Sequence, residues 1–107
     1  MMITIEDFRK IDLRVAQIKD VKEHPNADKL YLVQIDVGGE LKQLVAGIRK
    51  AYIKEDLIGK KIIVVNNLEP ATIRGEISNG MMLAASDEQG MALLTVERDI
   101  SVGAKIS

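Results

Sequence analysis

The stretch Leu30–Val45, LYLVQIDVGGELKQLV, decides the fold. Tyr31, Val33, Ile35 and Val37 fall on one side of an extended chain and Gln34 and Asp36 on the other, the period-two pattern of a half-buried strand. Gly38-Gly39 follows with two residues that accept positive φ at no steric cost, as a two-residue primed turn requires. Leu41 to Val45 then resumes as a strand. These sixteen positions predict a tight β-hairpin around which the rest of the chain must be organised.

Toward the N-terminus, Thr4 with Asp7 three residues on resembles a capping box in its Asp variant. It opens a short helix whose apolar residues Ile5, Phe8 and Ile11 recur at helical spacing. From Leu13 the pattern becomes strand-like, but the phase set by Leu13 and Val15 switches at Ile18 before Val21, as a bulge in a long strand requires. His24-Pro25-Asn26-Ala27-Asp28 is turn chemistry. Toward the C-terminus, Ile48 to Ile58 predicts one or two helical turns with Ile48, Tyr52 and Leu57 inward, lysines outward and Gly59 as the stop. Lys61 to Val65, Met81 to Ala85 and Ala92 to Val96 read as strands, separated by the connections Asn66 to Gly80 and Ser86 to Gly90. Ser101 to Ser107 is a tail placed to pair as an extra edge. Three strands, a helix and further strands give an all-β-dominated fold: a five-stranded OB-fold Greek-key barrel with one helix between strands three and four and a short N-terminal helix. Other small barrels share parts of this order. No repeat or low-complexity segment divides the chain, so one domain over residues 1–107 is expected.

Composition narrows what such a barrel can do. Phe8, Tyr31 and Tyr52 are the only aromatic residues, so the core must be aliphatic and base stacking scarce. The chain has no cysteine, which excludes disulfides, thiolate metal sites and a cysteine nucleophile. His24, alone of its kind and beside a proline, reads as structural or solvated, with no second imidazole for a zinc site or a triad. Gly75 to Gly80 has the outer spacing of a phosphate-binding loop, but Met81-Met82 stands where Lys-Ser/Thr is required. Glu55-Asp56 and Asp87-Glu88 read as solvated pairs. The expectation is a non-catalytic protein with no metal and no cofactor. Neither a signal sequence nor a membrane span is legible, which predicts a soluble, cytoplasmic chain. The doubled Met1-Met2 fits a free protein and a cloned fragment equally.

The net charge of −1 argues against indiscriminate coating of nucleic acid. From Lys42 to Lys61 the balance nevertheless reaches +4, through Lys42, Arg49, Lys50, Lys54, Lys60 and Lys61 against Glu55 and Asp56. Taken alone, such a run fits a solvated helix face. The segment richest in information is Asn66 to Ala85, which packs polar groups, two glycines and a cation into one connection. Gly75 and Gly80 permit close approach of backbone to a partner, Ser78 and Asn67 can bond phosphate or ribose, and Arg74 can fork onto phosphate. A long barrel connection held by its own Asn and Ser bonds is the equal alternative.

Five ordered blocks resemble the tRNA-binding domain family of methionyl-tRNA synthetase C-terminal extensions or β-subunits, stand-alone tRNA-binding dimers and synthetase-associated cytokine precursors. They are Asp12-Leu13-Arg14-Val15, His24 to Tyr31, Val45-Ala46-Gly47-Ile48, Asn67-Leu68-Glu69-Pro70, and Ser78 to Ala85. The resemblance implies a homodimer that holds the outer elbow of tRNA by shape and assists aminoacylation, with a synthetase catalytic subunit as a further partner. A-form RNA shows few readable base edges in its deep major groove, so a protein short of aromatics is suited to backbone and shape. The family's pattern places Ser78 and Met81 at the RNA-facing site, with Arg14, Lys29, Asn67 and Arg74 nearby. Met81 and Met82 alternate across a strand, and Met81 is expected outward. Arg14 has the rival role of pairing with Asp12 or Asp36, and Lys29 of serving only its turn. Glu69 departs from a position often basic in the family, which predicts modest, salt-sensitive binding.

A dimer interface is expected at the apolar ends, Ile3, Ile5 and Phe8 with Val102 and Ile106, unless both ends plug their own barrel. Two rival functions stand beside RNA binding. One is a secretion-associated chaperone, as some stand-alone members are described; the other is a pure dimerisation module of a synthetase.

Overall fold

A computed structural model describes residues 1–107. Its elements are α1 (Ile5–Arg9), β1 (Leu13–Glu23), β2 (Tyr31–Asp36), β3 (Leu41–Ala46), α2 (Lys54–Leu57), β4 (Lys61–Val65), β5 (Ala71–Ile73), β6 (Glu76–Ser78), β7 (Met81–Met82), β8 (Ala84–Asp87), β9 (Gly90–Leu93) and β10 (Lys105–Ile106). The main sheet runs β3-β2-β1-β4-β7, entirely antiparallel, with β10 added beside β1.

β1 makes the barrel possible because it pairs twice. Its first half runs against β4, from Leu13↔Val65 to Gln17↔Lys61, and its second half against β2, from Gln17↔Asp36 to Glu23↔Tyr31. The register shifts between Ile18 and Asp20, where the apolar phase predicted a bulge. That extra residue bends and twists the strand enough to serve both neighbours. β10 lies beside the first half of β1, as Leu13↔Ile106 and Arg14↔Lys105, so the C-terminal tail does pair as an edge. The sheet closes nearly into a barrel where the Asn79 amide donates to the Gln43 carbonyl (2.8 Å) and the Val45 amide to the Ser78 hydroxyl (3.0 Å).

The Leu30–Val45 reading holds. β2 and β3 pair from Tyr31↔Ala46 to Asp36↔Leu41, and Gly38 and Gly39 take φ of 81° and 98° in a turn closed by Val37 N–H to Glu40 C=O at 2.8 Å. The capping box also forms, with reciprocal Thr4–Asp7 bonds of 3.2 and 3.1 Å. Inside the barrel lies an aliphatic cluster, with Ile18, Val33, Ile35, Leu44, Leu57, Ile62 and Val64 essentially inaccessible.

The structure refines three of these expectations. The one or two helical turns expected within Ile48–Ile58 form as a bonded turn, where Ala51 and Tyr52 donate to the Ile48 carbonyl, and the single turn of α2, with the chain extended at Ile53 between them. The Tyr31 hydroxyl donates to the Tyr52 carbonyl at 2.8 Å, while Asp56 N–H turns to Ile53 C=O instead. The connection Asn66–Gly80 is not all loop. β5 and β6 pair as Ala71↔Ser78 to Ile73↔Glu76 around Arg74-Gly75, with φ of 54° and 90°. Finally, the strand expected over Met81–Ala85 divides at Leu83. β7 stays in the barrel and β8, exposed along its length, pairs with β9, Ala84↔Leu93 to Asp87↔Gly90, in a hairpin whose Met91 and Leu93 pack against the core.

Candidate nucleic-acid interface

β7 sorts the two methionines as the alternation requires. Met82 faces the core at 9% exposure, and Met81, opposite Val65, stands 49% exposed. A flexible thioether on the outer barrel wall gives an adaptable apolar contact.

Ser78, expected at the RNA face, is 4% exposed. Its hydroxyl accepts from Val45 N–H at 3.0 Å and donates to Gly80 C=O at 3.0 Å, stitching β3 to the start of β7. Gly80 sits there at φ 127°, where a Cβ would lie 2.8 Å from the Val65 carbonyl oxygen. Ser78 therefore positions Met81 from within.

Asn67 is engaged in the same inward manner. Its Oδ1 accepts from Asp12 N–H (2.9 Å) and its Nδ2 donates to Lys10 C=O (2.7 Å), tying the end of α1 to the end of β4. Asn66 completes the corner, with its amide bonded to Asp12 C=O at 2.7 Å and its Nδ2 to Asp12 Oδ2 at 3.2 Å. Arg14 donates through Nε to Asp12 Oδ1 at 2.7 Å and through a terminal nitrogen to Gly103 C=O at 3.3 Å, so its rival role is the one formed. The Asn66 amide bond, then the Arg14 bond and charge and the Lys105 charge, hold the Asp12 carboxyl below the usual carboxylate range against the opposing effect of burial.

Lys29 and Arg74, by contrast, point outward. Both are exposed, and they share one cleft of about 420 Å³ with Ala27, Asp28 and Leu30. The basic run from Lys42 to Lys61 does not form one cationic face. Lys42 bonds Asn66 C=O (3.0 Å), Arg49 bonds Ala27 C=O and Glu23 (both 3.2 Å), Lys54 also reaches Glu23 (3.4 Å), and Lys61 bonds Asp99 and the Ile100 carbonyl. Lys60 lies over the Tyr52 ring, 5.7 Å from its centroid. A polar strip missed by sequence reasoning runs along the outer face of β2 and β3. Gln34 Nε2 donates to Gln43 Oε1 (3.1 Å), and Gln43 Nε2 to Ile77 C=O (2.9 Å). The outward phase of Gln34 was the available signal.

The apolar ends meet at one place. Ile5, Phe8, Ile11 and Ile106, rimmed by Arg9 and Lys105, line a groove of about 420 Å³. Ile3 and Ile5 are 58% and 55% exposed, and α1 buries no residue completely. Val102 is half-buried and lies outside the groove, against the β2–β3 turn. No three His, Asp or Glu side chains gather as a metal site, and no helix is long and apolar enough to cross a membrane.

With this geometry in hand, three comparisons bear on identity. Residues 13–105 match the family model described as "Putative tRNA binding domain". The methionine–tRNA ligase of Thermococcus onnurineus is 50% identical over 104 residues, which cover 97% of this chain but 14% of that protein. The chain thus spans only a small part of the curated relatives it matches. Among solved structures, the MetRS related protein from Pyrococcus horikoshii superposes with a TM-score of 0.92 at 31% identity, covering 100% of this chain and 99% of that one. The CsaA chaperone protein from Picrophilus torridus gives 0.92 at 40% identity, covering 99% and 100%.

Proposed function

Since the chain belongs to the tRNA-binding domain family, we propose that it is a non-catalytic OB-fold module that holds folded tRNA by shape and backbone and assists aminoacylation by a methionyl-tRNA synthetase. The observation that carries this reading is the family match over residues 13–105, joined to a ligase relative 50% identical across nearly the whole chain. Exposed Met81, with the cations Lys29 and Arg74, supplies contacts that need no base stacking. Ser78 acts from beneath by fixing the start of the strand that carries Met81, and Arg14 and Asn67 by fastening α1 and the C-terminal segment to the barrel. The apolar groove between α1 and β10 is the homodimer interface in this reading, with exposed Ile3 two residues ahead of it in the chain, and a dimer doubles the sites offered to one RNA. The module works in the cytoplasm, in the same chain as a synthetase or in trans.

The deciding experiment is a filter-binding titration of folded tRNA against an unfolded RNA of equal length, at low and moderate salt. Preference for the folded RNA that Met81→Ala weakens supports shape recognition; equal or absent binding overturns it. The likeness to the CsaA chaperone structure favours a second reading, capture of unfolded polypeptide by an apolar groove. Salt separates the two, because phosphate binding weakens steeply as salt rises and apolar capture does not. A monomeric mass at micromolar concentration would sink the dimer.

A further inference from the structure

His24 is 3% exposed, and both of its ring nitrogens are engaged. Nδ1 accepts from Asn26 N–H at 3.0 Å, which assigns the ring proton of the neutral imidazole to Nε2. Nε2 lies 3.1 Å from the Ile73 carbonyl oxygen, to which it donates. Asn26 lies in the β1–β2 connection that also carries Lys29, and Ile73 immediately precedes Arg74 at the tip of the β5–β6 hairpin. One imidazole therefore joins the two walls of the cleft lined by Ala27, Asp28, Lys29, Leu30 and Arg74.

The cleft suits an anion. Asp28 is the one carboxylate on a lining with two cations, neither of which has a salt-bridge partner. Arg74 is the only residue other than glycine with positive φ, at 54°. Asparagine or glycine would occupy that turn position more easily, so the turn itself does not call for arginine. A hairpin of three-residue strands is marginal alone, and its other ties run from Gln43 to Glu76, Ile77 and Asn79 and from Val45 to Ser78, all on β6 or just beyond it, so the His24 bond to Ile73 is the tie on the β5 side of the tip.

We infer that His24 is a positioning residue: it holds Arg74 across from Lys29 so that the two cations grip one stretch of phosphodiester backbone. The inference rests on the RNA-binding reading and names the seat and its clamp. Without the Ile73 bond, Arg74 sits on a looser tip, and binding must bear the cost of ordering it.

The test is filter binding of folded tRNA across a salt series for wild type, His24→Gln, His24→Asn, Arg74→Asn and the double variant His24→Asn/Arg74→Asn. Glutamine places an amide donor near Nε2 and keeps the Ile73 bond; asparagine keeps an acceptor for Asn26 N–H and loses the clamp. His24→Gln should retain the wild-type salt slope. His24→Asn and Arg74→Asn should each make it shallower by about 0.7 to 0.9, one phosphate contact. The double variant should bind no more weakly than Arg74→Asn alone. Equal loss in His24→Gln and His24→Asn, or additive loss in the double variant, overturns the positioning role. If the His24 variants unfold, Arg74→Asn decides, since asparagine suits that exposed turn. An unchanged slope there overturns the phosphate seat, and continued weakening by Met81→Ala shows that the tRNA reading survives. Wild-type protein that binds no folded tRNA removes both.

Discussion

Two polar corners of this barrel have similar compositions and opposite destinies. At the Asp12–Asn66–Asn67 corner, amides, a carboxylate and the Arg14 guanidinium turn toward one another and toward backbone, fastening α1 and the C-terminal segment to the end of β4. At the Lys29–Arg74 cleft, the charged side chains stand free of salt bridges and face outward, while His24 beneath them is bonded on both ring nitrogens. Under the RNA-binding proposal, the motif residues divide into builders of the barrel and readers of RNA. Builders should change stability with little effect on salt dependence, and readers the reverse.

The sharpest break is expected at Gly80→Ala, beside the Ser78 stitch. Positive φ combines there with a Cβ 2.8 Å from the Val65 carbonyl, so the loss in urea denaturation should be about 3 kcal/mol or more. A loss under about 1 kcal/mol would show that β7 can shift and that closure is soft. Next is Ser78→Ala, which leaves the Val45 N–H without its partner and should cost about 1–3 kcal/mol. Its salt slope for tRNA should match wild type, and a shallower slope would move Ser78 to the readers.

Asp12→Asn should cost about 1–2 kcal/mol near neutral pH, since the charge-assisted bond from Arg14 loses its carboxylate. Because the folded-state pKa of Asp12 is lowered, its contribution is present above the unfolded value and fades as pH falls through the folded one. Denaturation curves of wild type and variant should therefore converge on acidification; a gap that persists would assign the corner's strength to geometry rather than charge. The smallest stability effect, within about 0.5 kcal/mol, is expected for Met81→Ala, whose side chain is 49% exposed. Its tRNA affinity should nonetheless fall about threefold to tenfold, as removal of one apolar contact predicts. Unchanged affinity would strike Met81 from the readers.

What was legible in the sequence is what depends on near neighbours. The β2–β3 hairpin, the phase switch at Ile18, the Thr4–Asp7 box and the division of labour between Met81 and Met82 all follow from spacing and turn chemistry within a few residues. The illegible parts are bonded across the chain. Ser78 meets Val45 at a separation of 33 residues, Asn67 meets Asp12 at 55, and Arg14 meets Gly103 at 89. A serine or asparagine that bonds its own barrel has the same local pattern as one that bonds RNA. The β5–β6 hairpin was hidden because each strand has three residues and the turn is Arg-Gly rather than Asn-Gly. The break at Ile53 between the two helical turns is hidden because nothing near Tyr52 announces that a phenol 21 residues away bonds its carbonyl.

The tip of the first hairpin has a practical consequence. Gly38 and Gly103 approach so closely that a Cβ on the former would lie 3.0 Å from the other's Cα, and a Cβ on the latter 2.9 Å. The β2–β3 turn is therefore roofed by the C-terminal segment, and a loop grafted there would prise β10 from β1. For an affinity tag or a fluorescent reporter, the permissive site is instead the exposed β8–β9 turn at Asp87–Gly90, where additions would hang free of the barrel wall.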